Sequence, residues 1–520
     1  LDGTHNTCLG YRAGYGLKTT ATKNVFLGND VGGGASTGTT AIDCIAIGYL
    51  ALEMLTSGAE NIAIGSECLE AMESGENNIA IGYQALEVST EGHNNIAIGT
   101  RALEDFSEDS AGEGDNVAIG VLALCNASTG QANVAVGHQA CGLGEVTGNY
   151  NVALGRLAGY DLASGIGNVM IGKDSGSNLT DGGYNVTIGF EAGFALTTGQ
   201  KQVFIGSYAG DDMTVGTGNT AVGYGSLSGA TAHTSTPAQC PHANTAVGYL
   251  ALEDMNIADS GSVYGYNTAI GYETAKNLTT AQTNTHVGSK AGGLGVITGS
   301  GNTTLGYNAG YDLSSGTHNT FLGSHSGNNT TIGDDNIAIG YKALTTNVQG
   351  NDNIAIGNLA LEDFEADADT HGQNVAIGSN AMLNASTGTG NIAMGYDAMG
   401  LGVTTGNVNV CIGNEAGQDL TSGNNNVLIG KSAGKNITGG TSVQGIYNTL
   451  IGSEAGEDMT DASYMTGIGY QALANITSST SCTAVGYKAM LSGTDDADGT
   501  VAVGYEAAQE CNGEYNTVIG

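Results

Sequence analysis

An Asn, three residues and a Gly return along the whole chain, from Gly10 to Gly520, in 29 copies. Sixteen of the 28 intervals between successive anchor glycines are 17 residues, and the others run from 16 to 25. Asn61 to Gly65, Asn78 to Gly82, Asn95 to Gly99 and Asn336 to Gly340 are clean copies. The residue before the glycine is Ile, Leu, Val or Met in every copy, and the residue four before it is Asn in 24. The unit reads N-[VI]-A-I-G-Y-x-A-L-x-x-x-T-x-G-x-x. Seventeen residues are too few for a domain, so each unit must bury its apolar side against its neighbours.

The period decides what the neighbours are. The first half of the unit alternates with period two, which signals a short strand, and the Y-x-A-L part suits a second one. Gly at a fixed corner points to a positive φ or to a lack of space for a side chain. Helical repeats are excluded, because the units are crowded with Gly and carry no ten-residue helical pattern. The expected fold is therefore all-β: a parallel β-solenoid, β-roll-like, of about 29 coils stacked ~4.8 Å apart over ~140 Å. Aliphatic residues before the glycine (Ile64, Ile81, Ile98, Ile339, Ile356) are expected to stack into the core column. Gly65, Gly82, Gly99, Gly340 and Gly357 form the corner column beside it, and Asn61, Asn78 and Asn336 an external or corner ladder of amides.

Irregular spacings also repeat. The series 21, 17, 18, 17 after Gly99 recurs after Gly357, and Arg101 to Phe106 matches Leu359 to Phe364. Blocks of several coils were duplicated as well as single coils. No linker or composition break interrupts the pattern, so residues 1–520 are read as one continuous solenoid domain, a segment of a longer fibre protein.

Composition narrows the partners. The chain has 50 acidic and 13 basic residues and a formal net charge of -37. That argues against nucleic acid, whose phosphates would repel it. No run of 18 apolar residues offers a membrane-spanning helix. The extra residues of the longer coils fall after the A-L segment and are acidic or small. Glu104, Asp105, Glu108 and Asp109 crowd one such loop; Glu362, Asp363, Glu365, Asp367 and Asp369 crowd its duplicate; Asp495, Asp496 and Asp498 crowd a third. Carboxylates at these spacings suit recognition or Ca²⁺. Solvated acidic loops are the plainer reading, since no complete EF-hand pattern occurs.

Catalytic chemistry finds no support. The nine Cys form no C-x-x-C, the nine His no H-x-x-x-H, and no Ser has a credible base. Cys8, Cys68 and Cys411 occupy slots where Ala usually sits, so small buried hydrophobes are expected. Cys125 and Cys141 lie on adjacent coils, where a bridge is the alternative. Asn-x-Ser/Thr recurs at Asn126, Asn178, Asn277, Asn384, Asn436 and Asn475. Turn chemistry explains it without sugar.

The N-x-[AV]-[IL]-G strand and turn resembles the head repeat of YadA-like trimeric autotransporter adhesins, and repeats of bacteriophage tail fibres and other secreted bacterial fibres. The matching positions are the aliphatic residues named above and the glycines that follow them. The resemblance covers essentially the whole chain, although the adhesin unit is nearer 14 residues, and here it is 17. It implies a left-handed β-roll, three chains side by side, and adhesion to a host surface or matrix. The expected function is thus a non-catalytic structural rod on a cell or virion surface, presenting acidic loops for attachment. A tail-fibre shaft and a self-assembling filament subunit are the alternatives. A homotrimer is the expected association, because so thin a coil buries little alone and a repeated Tyr column (Tyr83, Tyr224, Tyr272, Tyr341) offers shared surface.

Overall fold

A computed structural model describes residues 3–33, 38–107, 114–229, 242–255, 265–293, 295–365, 372–439, 444–493 and 497–520. The chain is all-β, with no helix among the described residues, and its repeat is a parallel β-solenoid. Contacts group it into two units, Leu1–Tyr266 and Asn267–Gly520. In the first, three-residue strands stack from Thr7–Leu9 to Thr245–Val247; in the second, from Thr268–Ile270 to Thr517–Ile519. Together they number 29. Register follows the sequence period: Ile62, Ala63 and Ile64 pair with Ile79, Ala80 and Ile81 of the next coil.

The corner glycine has two reasons to be glycine. At Gly65 φ is 147°, and a Cβ there would lie 2.3 Å from the Gly82 carbonyl oxygen of the next coil. The same clash recurs from coil to coil, with Gly340 against Gly357 at 2.3 Å. Backbone thus stacks directly on backbone at this corner, and no side chain fits between.

The small Ala column three after the glycine is buried as expected (Ala51, Ala85, Ala102), but the strand's phase is the reverse of the expectation. The middle residue of each strand points inward, so Ala63, Ala80 and Ala97 are fully buried, while the flanking aliphatics face out. Ile64 is 37% exposed, and Ile81, Ile98, Ile339 and Ile356 are partly exposed. The stacked aliphatic columns exist, but on the outer face of the sheet. Alternation was read correctly; its phase was not, because Ile is the more apolar residue and Ala the one that fits a narrow interior.

No second strand forms over Y-x-A-L. Positive φ recurs at every other residue there, at Leu50 and Leu52 (55° and 53°) and at Glu67 and Leu69 (58° and 50°). The N–H groups consequently alternate in direction. Glu67 donates back to Tyr49 O at 2.8 Å and Leu69 forward to Ala85 O at 3.0 Å. These coil-to-coil bonds satisfy the turn backbone and offset the left-handed strain, about 1–2 kcal/mol per residue. The leucines so placed point inward and complete the core: Leu52, Leu69 and Leu86 are buried.

Size is matched across each coil between the strand's middle residue and the residue six positions on. Where the strand carries Ala, that partner is usually Leu or Met, as in Ala63 with Leu69 and Ala376 with Met382. Where the strand carries a large residue, the partner is Gly. A Cβ on Gly32, Gly210 or Gly327 would lie 2.4, 2.7 and 2.6 Å from the rings of Phe26, Phe204 and Phe321. Leu428 with Gly434 and Leu450 with Gly456 follow the same rule. Ala153 with Gly159 departs from it, and the adjacent coils fill that space: a Cβ on Gly159 would meet Met170 Sδ at 2.7 Å and Cys141 Sγ at 3.3 Å.

Candidate functional site

The asparagine ladder is internal. Asn61, Asn78 and Asn336 are fully buried at the inside of the corner, which corrects the external placement. Asn61 Oδ1 accepts from both the N–H and the Nδ2 of Asn78, each at 3.0 Å, and Asn61 Nδ2 donates to Gly75 O at 2.7 Å. Three bonds per rung satisfy an amide that would otherwise be costly to bury. The amide carbonyl faces the next asparagine and the amino group a turn carbonyl, and the side chain is fully buried, so the column is structural. Cys44 takes one rung: its N–H donates to Asn24 Oδ1 at 2.9 Å, and its thiol meets Ile42 O and Gly58 O, each at 3.5 Å.

Acidic residues separate into two groups. Glu108, Asp109, Asp367, Asp369, Asp495 and Asp496 lie outside the described residues. The others belong to the coils. Glu104 is buried and pairs with Arg101, and Glu362 pairs with Lys342 at 2.7 Å. Asp105, Asp363 and Glu365 are exposed beside the buried Phe106 and Phe364. Asp498 accepts a bond from the Thr480 N–H at 2.6 Å, which makes it a turn residue.

Stacking also creates an acidic column that the loop-by-loop reading missed. Glu53, Glu70, Glu87 and Glu104 follow A-L or C-L in successive coils, 17 residues apart. Glu67 projects beside them, and one carboxylate oxygen from each of Glu67, Glu70 and Glu87 lies within 4.8 Å of the others. Burial first, then neighbouring carboxylates, raises the pKa of Glu70 and of Glu87. The signal was present as the A-L-E triplet at the repeat period. Such a group suits a hard cation such as calcium, but exposed acidic groups are common without an ion.

Among the described residues eight cysteines are free thiols, Cys125 and Cys141 included, so no bridge joins them. All but Cys8 are buried, as expected of small hydrophobes. Burial pushes the Cys68 and Cys141 thiols up to about 12, where they stay protonated and unreactive. Cys240 lies outside the described residues.

His286 is the one fully buried histidine among the described residues. It takes an interior strand slot opposite Gly292, whose Cβ would lie 2.5 Å from its Nδ1. Nδ1 meets Thr304 Oγ1 at 2.8 Å, and Nε2 has no partner. Burial lowers its pKa to about 4, so the ring is neutral near pH 7.

Exposed tyrosines stack in register at the edge of the outer sheet face. Tyr470, Tyr487 and Tyr505 are spaced 5.5 and 5.0 Å between ring centroids with nearly parallel planes, and Tyr224 lies 5.5 Å from Tyr249. No helix among the described residues is long and apolar enough to cross a membrane. Comparison with protein-family models and with curated proteins gives no match, so the resemblance to adhesin heads and tail fibres stands on the repeat motif alone.

Proposed function

We propose that this chain is a structural, non-catalytic rod segment of an extracellular fibre, carried on a cell or virion surface, whose acidic loops serve attachment. The observation that carries it is the interior. The buried cysteines Cys68 and Cys141 and the buried His286 are neutral and packed, and the asparagine column is spent on holding coil to coil. An enzyme needs convergent polar groups in a cleft, and a stack of identical rungs supplies none. Copies associate side by side; three is the number that the resemblance implies. Acid on the remaining surface keeps such fibres apart and soluble.

Electron diffraction from aligned particles tests the rod: a meridional spacing of ~4.8 Å along the long axis is expected, and its absence would reject it. Removing residues 366–371 tests attachment. Loss of binding to the target surface with the diffraction unchanged supports loops that recognise and coils that present them. Retained binding assigns attachment elsewhere.

A further inference from the structure

We infer that the outer face of the parallel sheet is the surface through which copies of this chain associate. The inference rests on the rod reading and names its contact surface.

The first observation is composition against position. The two outward residues of every strand are drawn only from Ile, Val, Leu, Met and Thr, over all 29 strands. No charged residue enters either column in a chain of net charge -37. None of these residues is buried: the outward flanks of Ile62–Ile64, Thr268–Ile270 and Thr466–Ile468 are all partly or fully exposed. Isolated exposed aliphatics are ordinary, whereas two such columns within each unit are not.

Area is the second. Taking roughly 40 Å² for each partly exposed aliphatic side chain, the strands of the first unit alone present on the order of 1,000 Å². That exceeds the ~300–600 Å² of the largest patch on a typical monomer. It also exceeds the ~800 Å² that each partner contributes to a standard interface. Parallel sheets, moreover, are almost always covered on both faces. Here the inner face is covered by Leu52, Leu69 and their equivalents, while the outward flanks stay partly or fully exposed among the described residues.

Commensurate spacing selects the occupant. A face with one strand per coil fits best against another face of the same rise, and a second copy has that rise by construction. Its side chains would interdigitate as two packed sheets do, about 10 Å apart. The edges add to the match: Tyr266 and Tyr272, and Tyr464 and Tyr470, bracket their strands with exposed rings. A neutral stripe also lets two strongly acidic chains approach without facing like charges. Association should therefore strengthen as salt rises and screens the flanks.

The test is sedimentation equilibrium of the full chain from 1 to 100 μM at low and high salt. Three forms are compared: the wild type, a face variant (Ile64→Lys, Ile81→Lys, Ile98→Lys) and an off-face variant with as many new lysines (Met54→Lys, Glu73→Lys, Val88→Lys). All six positions are at least partly exposed, so the coils should survive; far-UV circular dichroism checks this. Expected results are an oligomeric wild type, an unchanged off-face variant, and a face variant weakened at least 100-fold. A wild type monomeric at 100 μM with intact circular dichroism overturns the interface and leaves the rod standing, as does a face variant that associates normally. Loss of the ~4.8 Å repeat from the wild type would sink the rod reading instead.

Discussion

Exchanging the large and small members of one coil tests whether the interior is packed as matched pairs. Phe204 fills the inside of its coil against Gly210, where an added Cβ would lie 2.7 Å from the ring. Phe204→Ala should leave a cavity and cost ~3–5 kcal/mol. Gly210→Leu alone should overpack against the ring and cost ~1–3 kcal/mol, plus ~1 kcal/mol of left-handed strain. Together the two changes recreate the Ala63 and Leu69 coil, whose leucine already has φ of 50°, close to the 58° of Gly210. The double variant should therefore lie within ~2 kcal/mol of wild type, a coupling of ~3 kcal/mol or more. Global melting is a poor readout, because long repeat arrays lose two-state behaviour. Native-state hydrogen exchange at the amides of Val203–Ile205 and the strands on either side reports the local opening free energy directly. Additive losses in the double variant would refute the pairing and reduce the size rule to coincidence.

Three further outcomes follow from the same interior. The folded pKa of His286 lies near 4, below its ordinary 6.5. Its unfolded form binds the proton first, so stability should fall as pH drops below ~6.5, reaching a loss of ~3 kcal/mol below pH 4. His286→Phe, which recreates the pairing of a ring with glycine, should remove that part of the pH dependence in exchange measurements. Asn78→Ala strands the N–H of Asn95 and the carbonyl of Gly92, and should lower local protection by ~2–4 kcal/mol. Full protection at strands Ile79–Ile81 and Ile96–Ile98 would show that the ladder is dispensable. Ala338→Asp buries a charge and should abolish protection around it, while Ile339→Asp, on the outer face, should cost under ~1 kcal/mol. The reverse order would overturn the inside–outside assignment.

The solenoid was legible because a fixed period leaves few alternatives, and the corner glycine because one residue type answers one backbone need. Which side of the strand faced inward was not legible from hydrophobicity. Ile62 and Ile64 outrank Ala63 on any scale, yet opposite the buried Leu69 the slot holds only the methyl group of Ala63, and larger residues enter where the position six on is glycine. Width is a property of the closed coil, and the turn at Glu67 and Leu69 sets it through left-handed residues that no propensity scale favours. The same turn hid the glutamate column. Glu70 and Glu87 look like separate surface charges in the chain and become neighbours only once the coils stack.

Matched pairs bear on how such a chain finds its own register. Most coils offer their neighbour the same asparagine rung, and all share the glycine corner, so a folding coil that skipped one neighbour and docked on the next would still find good hydrogen bonds. Contacts are otherwise local, about one coil apart, which favours fast, stepwise growth from any nucleus and gives little intrinsic protection against a slip. The rings supply what the ladder lacks. Phe204 in its proper place faces Gly210 with Gly193 alongside, and a slipped neighbour bringing leucine to that spot would collide with it. Scattered phenylalanines thus act as keys along an otherwise monotonous track, proofreading the count of coils as the chain winds up.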